Sequence, residues 1–308
     1  MAAPVTDTLT REAFRGWPAY ALRRGSLVLR VVPALGGRLM GIEFAGRELC
    51  FIHPELEGKT FTGDAQDWPH LCGEWSFPLW GGGKTWVAPE SDWPGQAPHR
   101  DLDSGAWQVL ALYASDGLCG IALQSPVCRV TGLQITRKLM LEPQGAHWSI
   151  EHTLSNQGPK PVRCGIWDVL MLQRPARVSI AFTADAKQAV IARPGNKSVD
   201  QLLEAGQLQI TPLAAVLHCD RAEEFKCGFE SRNGEVRVDF QEMPVRYERH
   251  SPVMVSQAYA HGKPVEIFNA PGLEYFEVET HSPLQTLLPG QSMLYCIHES
   301  VGGVSDSV

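Results

Sequence analysis

Apolar residues in this chain fall in short runs of four to eight, rich in β-branched types and separated by Gly, Pro, Asn or Asp, which is the pattern of strands. The runs predict strands over Ser26–Pro33, Leu118–Leu123, Leu133–Leu141, His147–Leu154, Val162–Leu172, Gln207–Pro212, Glu235–Phe240, Lys263–Asn269, Tyr275–Thr280 and Ser292–His298. Turn signals at Ser115-Asp-Gly, Asn156-Gln-Gly-Pro, Arg232-Asn-Gly and Leu288-Pro-Gly punctuate them as hairpins require. Helical periodicity is scarce; Ser198–Ala205 is the best candidate, with Ser198 able to cap two turns. The expectation is an all-β, mostly antiparallel sandwich with few short helices, formed as a single domain over residues 1–308. No internal repeat, low-complexity run or long linker divides it.

The segment from about Glu55 to His99 breaks the pattern. It is rich in Trp, Gly, Pro and Asp and lacks alternation, so it reads as a long loop region of the kind that carries ligand contacts. Six of the nine Trp of the chain (Trp68, Trp75, Trp80, Trp86, Trp93, Trp107) lie in or just beyond it. Composition changes the picture only by exclusion. With 308 residues, 44% hydrophobic and 20% charged, the chain is neither disordered nor fibrous. Its net charge of −7 and the lack of a basic cluster beyond Arg23-Arg24 argue against nucleic acid. No apolar stretch is long enough to span a bilayer, and the N-terminal MAAPVTDTLTREAF has no apolar signal core, so no membrane partner and a cytoplasmic location are expected. The eight cysteines are scattered singly without a CxxC pair, which suits reduced, buried thiols.

Three motifs carry candidate chemistry. Gly81-Gly-Gly-Lys-Thr85 invites a phosphate-loop reading, but the position where that pattern needs its first Gly is Pro78, and Pro89 and Pro94 forbid the helix that must follow. A better reading is a backbone that approaches a ligand closely, with Trp80, Trp86 and Trp93 as flat apolar platforms and Lys84, Glu90 and Asp92 as hydrogen-bonding groups. A pyranose, with apolar C–H faces and a rim of hydroxyls, suits such a surface. The plainer alternative is that these Trp pin a long loop to the core.

In Tyr275-Phe-Glu-Val-Glu-Thr-His-Ser-Pro283, alternation puts Glu277, Glu279 and His281 on one face and Phe276 and Val278 on the other, with same-face residues about 7 Å apart. Neighbouring carboxylates raise one another's pKa, and an imidazole titrates near neutrality, so this face has the equipment of general acid/base catalysis. An ordinary solvated strand face would have the same pattern. The third feature is Asp168, a charge inside the apolar run Cys164-Gly-Ile-Trp-Asp-Val169, which must be paired or lie in a polar site; the plainer alternative is a strand-end residue. His147 and His152 have no metal-ligand spacing, so neither a metal nor another cofactor is expected.

Taken in order, these residues resemble the galactose mutarotase-like (aldose 1-epimerase-like) superfamily. Val31-Val-Pro-Ala-Leu-Gly-Gly-Arg-Leu39 and Gly46-Arg-Glu-Leu-Cys-Phe51 look like its opening strands. Gly132-Leu-Gln-Ile-Thr-Arg137 and His152-Thr-Leu-Ser-Asn156 are similar to its long central strands and turn, and Glu279-Thr-His with Leu288-Pro-Gly-Gln291 to its closing strand and turn. The run at 81–90, with Trp167-Asp168 and Tyr275-Phe-Glu-Val-Glu279, looks like a bacterial branch of it. The resemblance implies a β-supersandwich with a concave sugar-binding face. It also implies ring opening by a Glu base on the C-terminal strand, the position of Glu279, with a His as acid. That histidine's His-Pro-Tyr-Phe motif is absent, and the corresponding stretch reads Trp167-Asp168. The expected roles are therefore Glu279 as base, Asp168 or His281 as acid, and Arg38, Lys84, Glu90 and Glu277 as polar anchors for a small-molecule sugar or sugar derivative. Trp80, Trp86 and Trp93 would stack on it. The alternatives are a non-catalytic sugar-binding or sensing module, and a hydrolase or lyase whose two carboxyls, Asp168 and Glu279, would have to face one another.

Overall fold

The computed structural model describes residues 7–115, 117–181, 190–193, 195–231 and 233–304. Among these, two antiparallel sheets account for most of the structure. The order in the twelve-stranded sheet is Thr8–Phe14, Trp17–Arg24, Leu27–Val32, Arg38–Phe44, Gly83–Ala88, Val162–Gln173, Tyr275–His281, Val265–Asn269, Phe225–Phe229 and Val190–Ala192; Arg47–Glu48 pairs beside Arg38–Phe44, and Gln285–Leu287 beside the start of Val162–Gln173. The ten-stranded sheet runs Leu208–Ile210, Ala214–Cys219, Ala176–Ala181, Val236–Phe240, Val245–His250, Ser292–Gly303, His147–Asn156, Leu133–Leu141, Gly120–Gln124 and Gln108–Tyr113. Buried side chains from both sheets, among them Leu29, Ile42, Leu139, Ile150, Leu170, Val178, Phe276 and Ile297, form one apolar cluster between them. This is the expected all-β sandwich.

Alternation decides which strands were legible. Leu133–Leu141 alternates buried and half-buried along its whole length and has the predicted bounds. Ser198 caps Val199–Glu204 through a reciprocal capping box with Gln201. The Asn156 side chain ties its turn, donating to the carbonyls of Lys160 (2.7 Å) and Leu287 (2.9 Å) and accepting from Gly158 N (2.9 Å). The turns expected at Asp116 and Arg232 lie outside the described residues.

The expected loop over 55–99 is corrected. It holds a helix, Asp67–Cys72, and several helical turns, and Gly83–Ala88 is a strand near the middle of the larger sheet, buried at all six positions. A strand covered on both faces has no polar side to alternate with, which is why the pattern hid it. The glycine run also has a different purpose. Gly81 (φ +98°) and Gly82 (φ +65°) adopt left-handed backbone, and a Cβ would lie 2.2 Å from the Phe51 carbonyl oxygen and 2.6 Å from that of Leu39. The close approach is to neighbouring backbone, not to a ligand.

Candidate active site on the outer face of the larger sheet

The strand Tyr275–His281 sits between Val162–Gln173 and Val265–Asn269, in register Val169 opposite Glu279 opposite Glu266, and Trp167 opposite His281. Phe276 and Val278 enter the core between the sheets, so Glu277, Glu279 and His281 emerge together on the other face. That face is no solvated surface: all seven residues of the strand are buried. It floors a cavity of about 610 Å³ whose walls include Trp75, Phe77, Trp86, Trp93, Trp167 and Tyr275, with Glu90, Glu277 and Lys226 among the polar lining groups. Trp93 stacks on Trp167 (centroids 5.5 Å, 22°), and Trp86 meets both edge-on. Residues of the sheet's own strands and of the segments on either side of Gly83–Ala88 thus wall the cavity over its acidic floor.

Lys226 is the centre of the charge arrangement. Its Nζ donates to Glu279 Oε2 (2.8 Å) and lies 3.7 Å from Glu266 Oε2. Burial opposes its charge, but Glu279, Glu266 and Glu277 outweigh that and raise its pKa, so it stays an ammonium. Glu279 accepts a second bond from Trp167 Nε1 (2.8 Å), and its Oε1 has no partner. Burial first, and then the charges of Glu266 and Glu277 against the opposing pull of Lys226, push its carboxyl up to about 8. Glu277 is held by Lys84 (2.9 Å), which lies over the Trp86 ring (4.2 Å). Burial lowers the pKa of Lys84, while Glu277 partly restores it.

Behind this floor, Glu266 Oε2 is 2.6 Å from His261 Nδ1 and 3.0 Å from His281 Nε2. Burial pushes the Glu266 carboxyl up, yet Lys226 and the two imidazoles win and hold it well below the usual carboxylate range. Burial depresses His281 to about 4 against the pull of Glu266, so the ring is neutral at pH 7. It stacks under Trp167 (5.3 Å, 25°) rather than lining the cavity. His261, Glu266 and His281 bring ligand-type atoms within 4.8 Å of one another, a grouping made by pairing of strands and invisible in linear spacing. Its setting opposes a cation, since Lys226 at 3.7 Å and Arg193 at 3.4 Å already supply positive charge to Glu266.

Of the residues singled out in the sequence, Trp86, Trp93, Glu90 and Glu277 line the cavity, and Glu279 and Lys84 lie directly behind its floor. Arg193 pairs with Glu90 at 3.1 Å. Arg38 does not reach the cavity: it is buried, pairing with Asp103 (2.6 Å) and donating to the Gly81 carbonyl (3.2 Å). Asp103 in turn accepts from Trp86 Nε1 (2.6 Å), so Arg38 acts behind the wall. Trp80 is a core residue with Nε1 on Ser104 Oγ (3.0 Å), packed in an apolar cluster with Trp68; Trp107 belongs to the main core. The Trp-rich stretch is thus divided between platform and core.

Asp168 is turned away. One residue on from Trp167, it points between the sheets, where Arg249 Nη2 lies 3.0 Å from Oδ1, and His152 Nε2 and Arg137 Nη2 lie 3.3 and 3.6 Å from Oδ2. It therefore cannot face Glu279 across a ligand, and it is no acid for this cavity. The residues that sequence reasoning missed, Lys226, Glu266 and His261, had one shared signal for the first two: a lone charge inside the apolar runs Phe225-Lys-Cys-Gly-Phe229 and Val265-Glu-Ile-Phe-Asn269, the same mark that singled out Asp168.

No protein-family model and no curated protein matches the sequence. Solved structures do. The Slr1438 protein from Synechocystis sp. PCC 6803 superposes with a TM-score of 0.63 at 13% identity, covering 98% of this chain and 99% of that one. A galactose mutarotase-like protein from Clostridium acetobutylicum gives 0.62 at 11% identity (97% and 99% covered), and a candidate aldose 1-epimerase from Escherichia coli K12 gives 0.56 at 16% identity (92% and 99%). The expected resemblance thus holds over nearly the whole chain, and its two antiparallel sheets have the galactose mutarotase-like fold.

Proposed function

We propose that the chain, acting as one domain, binds a small sugar or sugar derivative in the 610 Å³ cavity and interconverts its anomers by acid/base ring opening, as an aldose 1-epimerase-like isomerase. The observation that carries this reading is the convergence of an aromatic-walled cavity on a Lys226–Glu279 pair 2.8 Å apart. Indole faces suit the C–H faces of a pyranose, and Glu90, Glu277 and Lys226 suit its hydroxyls. Glu279, once ionised, takes the proton of the anomeric hydroxyl, and the C1–ring-oxygen bond breaks. The ring oxygen takes a proton from Lys226, whose ammonium replaces the histidine expected by resemblance. Rotation about C1–C2 and the reverse steps close the ring as the other anomer and return both protons. Oε1 of Glu279 is buried and has no partner, so it can take the proton only if the floor of the cavity shifts to let the substrate reach it. Free, mostly buried cysteines suit the cytoplasm as the place of action.

The test is exchange NMR on a panel of aldoses, uronic acids and sugar phosphates, with wild type and Glu279→Gln. Enhanced exchange that the substitution abolishes, with binding retained, is expected. A second reading, a sugar-binding module without turnover, is favoured by the complete burial of Glu279. Calorimetric binding with unaltered anomer exchange would establish it in place of the first.

A further inference from the structure

The lining of a second cavity, of about 640 Å³, includes Trp68, His99, Arg100, Asp101, Cys128 and Arg129. Two of these groups have the chemistry of a nucleophile and its base. Cys128 and His99 are 2% and 5% exposed, and His99 Nδ1 has no hydrogen-bond partner although it is buried. The Cys128 backbone is fixed on both sides, its N–H donating to the Leu133 carbonyl and its carbonyl accepting from Gly132 N, both at 2.8 Å. The cavity's charge is biased: Arg129 pairs with Asp101 (2.8 Å), which leaves Arg100, stacked over Trp68 (4.3 Å), as a surplus cation.

We infer that Cys128 and His99 form a reactive-thiol site that accepts an anionic low-molecular-weight disulfide and becomes S-thiolated. His99 takes the thiol proton. The Cys128 sulfur attacks one sulfur of R–S–S–R, a new S–S bond forms, the old one breaks, and R–S⁻ leaves with the electron pair. Cys128 is oxidised and one half of the reagent reduced, with no other reactant required. The environment of the thiol agrees. Burial disfavours its ionisation, yet the polar groups of His99, Thr131 and Val130 around it prevail and bring it down to about 7. Burial raises the other seven: Cys50, Cys72, Cys119, Cys164, Cys219, Cys227 and Cys296.

The experiment is stopped-flow reaction of the folded chain with 5,5′-dithiobis(2-nitrobenzoate), an anionic disulfide, across pH 5.5–9.5, followed by peptide mapping; glutathione disulfide is then used as a second probe with detection by intact mass. One fast thiol per chain is expected, mapped to Cys128, half-maximal in rate near pH 7. His99→Gln should slow it about ten-fold at pH 7 and move the midpoint up, while Cys128→Ser removes the fast phase. The mapping and pH profile of the wild type stand on their own if either variant fails to fold. A fast thiol mapped elsewhere, or a Cys128 that reacts only at the rate of global unfolding, overturns the inference. A His99→Gln variant that folds and keeps the wild-type pH profile overturns it equally.

Discussion

Replacing Asp168 by Asn separates the two roles that its position in the sequence allowed. In the space between the sheets, Asp168 and Glu299 face Arg137 and Arg249, and Glu299 is held by Arg249 (2.6 Å), Trp148 Nε1 (2.5 Å) and the Tyr247 hydroxyl. Two carboxylates thus balance two guanidiniums in a region closed to water, all four residues being at most 2% exposed. Asn keeps the shape but removes one charge, leaving a buried guanidinium uncompensated. Breaking a buried pair in this way costs about 3–5 kcal/mol. None of the three contacts to Asp168 has hydrogen-bond geometry, so the lower end applies. For a chain of 308 residues the entropy of unfolding is about 0.65 kcal/mol per kelvin, so the melting temperature should fall by about 5 °C. Near-UV circular dichroism measures the transition, and calorimetry below it measures sugar binding by the folded fraction. Binding should persist. An unchanged melting temperature, or lost binding in a variant of full stability, would place Asp168 at the ligand and refute the assignment of faces.

Because Glu279 must be ionised to act as base and burial holds its carboxyl near 8, anomer exchange should rise with pH through about 8 instead of levelling off above an ordinary glutamate's 4.5; Lys226→Met, which also removes the proposed acid, should lower the rate at every pH and move the limb of the residual activity higher. A rate already flat at pH 6 would remove Glu279 from the role. Trp93→Ala deletes a stacked platform and should weaken sugar binding about ten-fold, or ~1.4 kcal/mol, by calorimetry; unaltered affinity means that ligand sits elsewhere. Gly81→Ala combines a strained φ with a Cβ 2.2 Å from a carbonyl oxygen and should destabilise by about 3 kcal/mol or more in urea unfolding, whereas an equal midpoint would show that the strand can shift. Ser198→Ala loses a capping box and should cost about 1 kcal/mol, seen as faster amide exchange across Val199–Glu204; unchanged exchange there would mean the helix is held by packing alone.

What could be read from the sequence was what repeats locally. The two-residue period placed Glu277, Glu279 and His281 on one face, and the capping signal placed a helix after Ser198. What could not be read was pairing at a distance. Glu266 stands opposite Glu279 because two strands adopt one register, and Lys226 arrives from a third strand, so the charge that sets the behaviour of Glu279 comes from residues 13 and 53 positions away. Trp80 and Trp86 have the same composition signal, but Trp80 falls in an apolar cluster with Trp17, Val32 and Met40 while Trp86 meets Trp93 and Trp167 at the cavity, a difference of position on the sheet and not of local pattern. Asp168 shows the reverse error: a lone charge in an apolar strand does mark a polar site, but one that ties the two sheets together.

The helix Arg100–Asp103 is only four residues long, yet each of its ends belongs to a different cavity. His99, its N-terminal flank, faces Cys128, and Asp103, its last residue, holds the indole of Trp86. If an occupant of either cavity shifts this helix and so changes affinity in the other, the coupling is felt equally in both directions. The two cavities thus share one short element of the chain.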